Sequence, residues 1–191
     1  MKLVISVIVL FLNLSIFGQK PCDFTVNVVD SIGSYRSTKE YLVYEKNFAG
    51  NSVYLFNSIV ITDGTPILSV QFIEKSAGFI SAKCLDKNSK IYIQLNNGKI
   101  VTLLHIEKES CGTMLHDDKG FNNRIMTGYF MFRKDDFQDL KNSPVSYIRI
   151  KYTTETEDFI LRKAIKSEMN GELYEPENYF INYFHCLEDK N

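Results

Sequence analysis

In the stretch SCGTMLHDDKG, residues 110–120, Cys111 stands five positions ahead of His116, and Asp117 and Asp118 follow directly. A thiol and an imidazole are the parts of an activated nucleophile, since an imidazolium beside sulfur stabilises the thiolate. The same four side chains could ligate a metal ion. Both chemistries require Cys111 as a free thiol. The chain has no Cys-x-x-Cys or His-x-x-x-His pair of the kind that marks zinc sites, and the other histidines, His105 and His185, are isolated. HDDKGFNN lacks the alternating carboxylates and distant glutamate of a calcium loop. Adjacent aspartates ahead of Lys119 and Gly120 fit a solvated turn. His116, Asp117 and Asp118 remain polar site candidates, and the sequence singles out no catalytic, cofactor-binding or metal-ligating residue.

Whether Cys111 is a thiol depends on the compartment. Met1 and Lys2 precede LVISVIVLFLNLSIFG, an apolar run ending in a small residue at Gly18. This is the anatomy of a secretory signal peptide, residues 1–18. The run is shorter than the ~20 apolar residues that cross a bilayer comfortably. Removing it leaves 19–191, a length suited to one domain with a sizeable core. Loss of Lys2 leaves 21 basic against 23 acidic residues, and the basic ones are scattered, with pairs such as Arg133 and Lys134 as the largest clusters. That balance gives no footprint for nucleic acid. The expected location is periplasmic or extracellular, with no stable membrane insertion after cleavage.

All four cysteines, Cys22, Cys84, Cys111 and Cys186, fall in the exported part, where an even count predicts disulfides. A hairpin signal bears on their pairing. In KIYIQLNNGKIVTLLHI, Asn97-Gly98 separates two strand-like runs, and Asn-Gly is the preferred centre of a two-residue type I′ turn. That turn would place Leu95 opposite Ile100, Ile93 opposite Thr102 and Ile91 opposite Leu104, with paired numbers summing to 195. Carried outward through the turn-like LDKNSK, the same register sets Cys84 opposite Cys111. Directly opposed antiparallel residues lie within disulfide reach. Cys22 and Cys186 are then left to join the two ends of the domain.

The remaining sequence is mostly strand-like. DFTVNVVD alternates, EYLVYEK is aromatic and β-branched, and Asp63-Gly64 marks another hairpin between two apolar runs. Pro66 after that turn cannot donate to a ladder and suits an edge position. RIMTGYFMFRK and VSYIRIKYTTETEDFILRKAI have strand composition, and Glu155, Glu157 and Asp158 read as a hairpin tip. Two segments predict helices. One lies near 135–142, with Asp135 capping, Gln138 at the third position and Pro144 stopping it. The other is an amphipathic helix near 176–188, with Tyr179, Phe180, Tyr183, Phe184 and Leu187 on one face and His185 on the last turn. The expected fold is mainly β, a sandwich or a partly open antiparallel barrel.

Phosphate loops, nucleophile elbows and His-Glu-x-x-His helices are all missing from the sequence. The leading expectation is a non-catalytic exported module that binds a protein, glycan or other surface ligand, with no cofactor. The full chain's 11 tyrosines and 14 phenylalanines are more than a core alone would be expected to need. The competing expectations are a hydrolase built from scattered carboxylates or histidines and a small outer-membrane β-barrel. In general style the chain resembles small exported bacterial proteins, a likeness that covers no specific motif.

Overall fold

The computed structural model describes residues 20–187, so the expected signal peptide at 1–18 and the end of the expected C-terminal helix at Glu188 lie outside the described residues. Eleven strands form one antiparallel sheet. They are β1 (Phe24–Val29), β2 (Ser34–Thr38), β3 (Tyr41–Phe48), β4 (Asn51–Thr62), β5 (Thr65–Ser76), β6 (Lys90–Leu95), β7 (Ile100–His105), β8 (Thr113–His116), β9 (Asn122–Met131), β10 (Val145–Lys151) and β11 (Thr156–Ile160). Their order is β1-β2-β4-β5-β9-β7-β6-β10-β11, with β3 beside β2 on β4 and β8 beside β7 on β9. A separate ribbon joins β12 (Ile165–Lys166) to β13 (Leu173–Tyr174).

The fold is therefore mainly β and antiparallel, as the strand spacing predicts. The sheet bends over a single apolar core, bringing Phe159 of β11 against Tyr44 of β3, ring centroids 5.1 Å apart, and against Phe72 of β5 at 5.8 Å. Strands β1 and β11 remain its two ends, so it is not a closed barrel. An open sheet over a solid apolar interior differs from the outer-membrane expectation, because a spanning barrel must close its edges within lipid.

The centre is the hairpin of β4 and β5. Asp63 and Gly64 both have positive φ, 49° and 76°, as a type I′ turn requires, and the strands pair without a break from Thr62–Thr65 to Ser52–Lys75. At Pro66 strand β5 has β4 on one side only, since its ladder with β9 begins at Ile67, so the missing N–H leaves no gap. Ala49 and Gly50, at φ 50° and 78°, make a second turn of this kind between β3 and β4. The sequence signal is weak there because alanine seldom adopts positive φ.

The hairpin at Asn97-Gly98 differs from expectation. Gly98 alone in the loop has positive φ, 84°, its N–H donates to the Leu95 carbonyl at 2.9 Å, and the Leu95 N–H donates to the Lys99 carbonyl at 2.9 Å. This is a three-residue loop ending in a left-handed glycine, and the pairs are Gln94–Ile100, Ile93–Val101 and Ile91–Leu103. The physical reason is burial: Ile91, Ile93 and Leu95 share the core face with Val101 and Leu103, and this even-sum register sets apolar residues of that face opposite one another, as the expected sum of 195 would not.

The helical segments are short. Lys134–Asp136 is a 3-10 turn leading into an α-helix, Phe137–Asn142, and no side chain caps its start, so the expected Asp135 cap is not made. Ser143 is extended, as a residue before proline is driven to be. The expected 176–188 helix is divided into a 3-10 turn (Pro176–Asn178), an α-helix (Tyr179–Tyr183) and a further 3-10 turn (Phe184–Leu187). Tyr179 packs on Tyr41, while Phe180 and Phe184 pack on Phe132. Most of the aromatic surplus is thus spent inside the fold, and among the described residues Tyr35, Phe48 and Phe79 are the exposed aromatic rings.

Cys22 is bonded to Cys186 and Cys84 to Cys111. The first closes a separation of 164 residues and the second one of 27. Chain-entropy scaling assigns about 5 kcal/mol to the long closure and about 3.5 kcal/mol to the short one. In urea unfolding, paired serine substitutions at 22 and 186 are expected to lower stability more than the pair at 84 and 111. The reverse order would contradict a stapling role for the terminal bond.

Candidate functional site

The stretch 110–120 is consumed by architecture. The Cys84–Cys111 bond takes the thiol on which both nucleophilic and metal chemistry depended. Gly112, at φ 68°, lets the chain leave that bond against β9; a Cβ there would lie 2.5 Å from the Ile125 carbonyl oxygen. Residues Thr113–His116 then pair with β9 as β8. The Asp117 carboxylate accepts from the Lys119 N–H at 3.0 Å and the Phe121 N–H at 2.9 Å, and it pairs with the Lys75 ammonium. Lys75 in turn lies 4.7 Å above the Phe121 ring. Asp117 thus fixes the β8–β9 turn to β5, whereas His116 and Asp118 are exposed beside it.

The histidines do not converge. His105 is buried against Phe130, and its Nδ1 lies 3.0 Å from the Asp86 carbonyl, so that nitrogen carries the proton and donates. His185 lies on the last turn, where its Nε2 is 3.1 Å from Cys22 Sγ and its Nδ1 has no partner among the described residues. Among the described residues two clusters have metal-ligand composition, Cys22 with His185 and Cys186, and Cys84 with Glu109 and Cys111. In each the two sulfurs are bonded to one another, so neither offers the thiolates a soft metal requires. Two carboxylates of the β10–β11 hairpin are also engaged. Glu157 pairs with Lys83 at 2.8 Å, and Asp158 meets Arg149 in a fork of 2.6 and 2.7 Å.

A different surface has the shape of a site. Along β4, β5 and β9 alternate residues face the core, and those between them face outward. The register sets outward residues in rows: Ser58 beside Ser69 and Tyr129, then Phe56 beside Gln71 and Thr127. These rows form the floor of a groove of about 570 Å³, a size usual for small-molecule sites. Its rims are formed by Tyr35, Lys39 and Glu40 and by Met169, Asn170, Glu172 and Tyr174 of the β12–β13 ribbon. A second depression of about 430 Å³, lined by Phe48, Tyr54, Lys75 and Phe121, adjoins it at Met169.

The groove is built for hydrogen bonding. Gln71 donates to Glu40 at 3.2 Å, and the Tyr174 hydroxyl donates to Glu172 at 2.8 Å while accepting from Asn170 at 2.8 Å. Burial pushes the Tyr129 and Tyr174 phenols up, which keeps both protonated as donors. No histidine or cysteine among the described residues lines it. None of its residues was singled out by sequence. The signal was present as polar residues alternating with apolar ones at Ser58, Ser69, Gln71, Thr127 and Tyr129, but that pattern also describes any solvated strand face.

No protein-family model, curated protein or solved structure matches the chain.

Asp117 supplies a pH test. Lys75, followed by the Phe121 N–H, holds its carboxyl well below its ordinary 3.8. A depressed carboxylate contributes stability that is fully present above about pH 3.8 and is lost as pH falls further, through the folded value. Asp117→Asn is expected to melt at a lower temperature than the parent at pH 7, with the difference shrinking below pH 3.8. A difference that stays constant across that range, followed by thermal melts, would assign the effect to something other than the carboxylate charge.

Proposed function

We propose that the protein is a non-catalytic, exported binding module that holds its ligand in the outward groove of β4, β5 and β9. The groove carries this reading: a large concavity whose floor residues belong to the central strands, with neutral donors and acceptors at fixed cross-strand spacing. A site on paired strands is better positioned than one on loops. The two disulfides and the apolar run 3–18 support an oxidising destination. No helix among the described residues is long and apolar enough to cross a membrane.

Against hydrolysis stand the engaged groups of the groove. Glu40 accepts from Gln71, Glu172 accepts from Tyr174, and no imidazole among the described residues lines the groove to relay a proton. Binding needs only what is there: shape, hydroxyls, amides and rings. The test is amide NMR of the isotopically labelled chain, titrated with a library of small polar and aromatic fragments. Shifts are expected to cluster on Tyr35, Ser58, Ser69, Gln71, Thr127 and Tyr129. Clustering elsewhere, or no cluster at all, would remove the groove from consideration as the ligand face.

A further inference from the structure

We infer that the ligand is a neutral glycan chain lying along the groove; this rests on the groove being the binding face and adds the chemical class. Three observations narrow the occupant. The first is charge. The main groove presents one lysine, Lys39, against Glu40 and Glu172, and in the adjoining depression Lys75 is already paired with Asp117. Polyanions such as nucleic acids or sulfated polymers would meet net negative charge there.

The second observation is the backbone. An extended peptide gains affinity by adding to a free strand edge. The floor offers none along β5, whose main-chain groups are taken by β4 on one side and β9 on the other from Ile67 to Lys75. A ligand here must bond to side chains. The hydroxyls of Ser58 and Thr127 engage no protein group among the described residues, and they stand in adjoining rows with Gln71 and Tyr129. Groups that both donate and accept suit a polyol, each hydroxyl of which also does both.

The third observation is the rings. Tyr35 borders the main groove and Phe48 the adjoining depression, and both are exposed, Phe48 at 74%. An aromatic face is an apolar platform for the C–H faces of a sugar ring, while the sugar's edge hydroxyls turn to polar neighbours. Two depressions meeting at Met169, each with an exposed ring, fit a chain of several sugars better than one sugar.

The test is affinity electrophoresis of the mature chain in gels holding neutral polysaccharides (starch, mixed-linkage β-glucan, galactomannan and mannan), backed by a neutral oligosaccharide array. At least one is expected to retard the parent. Tyr129→Ala and Phe48→Ala are expected to weaken binding at least tenfold, while Phe79→Ala, an exposed ring outside the groove, retains it. Phe48 is exposed enough that its loss does not endanger folding, which protects the comparison should Tyr129→Ala unfold. Absence of retardation by every polysaccharide and oligosaccharide overturns the inference, as does equal binding by Phe48→Ala and Phe79→Ala. If fragments still shift groove amides while no glycan binds, the glycan assignment falls and the binding face stands; if both fail, both fall.

Discussion

The uninterrupted register of β4 against β5 is the constraint on which the other features depend. With both turn residues at positive φ, Thr62 must face Thr65, and eleven consecutive pairs follow. Because side chains alternate with period two, that choice sends Leu55, Ile59 and Ile61 to the same side as Leu68, Val70 and Phe72. It also sends Ser58, Ser69 and Gln71 to the other. A slip of one residue would put serine and glutamine in the core and leucine in the groove. Core and candidate site are two consequences of one pairing.

Around this centre the irregular segments are tied by specific contacts. Between β5 and β6 the chain crosses the core side of β9, where Leu85 lies so close to Gly128 that a Cβ would meet it at 2.4 Å. Lys83 of the same segment bridges Glu74 and Glu157 and stands 4.7 Å over the Phe72 ring, linking the centre of the sheet to β11. Asp117 ties the β8–β9 turn to β5 through Lys75, and the Cys22–Cys186 bond joins the lead into β1 to the final turn. The residues with the most suggestive chemistry in the sequence are therefore largely those that hold irregular chain in place.

Composition and alternation were enough to reveal the β class and the Asp63-Gly64 turn. The Asn97-Gly98 hairpin shows where such reasoning misses. The dipeptide preference points to a two-residue loop, yet Ile91, Ile93, Leu95, Val101 and Leu103 are all odd-numbered, and only an even sum sets them opposite. Buried area outweighed turn propensity. Cys84 still lies opposite Cys111, for a different reason than simple extension of the ladder. Between the Ser89–His105 contact and the Leu85–Ser110 bridge, one side has one residue more than the other, which shifts the sum back to 195. The groove was illegible because its rims come from β2, the segment after it and the β12–β13 ribbon, and no local pattern encodes their meeting.

The two faces of β4, β5 and β9 divide the labour, one packing the core and the other forming the groove. Thr127 is the most direct place to test it: it lies on the groove floor, only partly buried, in a strand position that tolerates an aromatic residue. Thr127→Trp should fill the groove while leaving the core face untouched. The decisive measurement is binding of that variant to the polysaccharide that retards the parent, alongside its thermal melt. The account predicts an unchanged melting temperature with binding abolished. Full binding with an unchanged melt would contradict it.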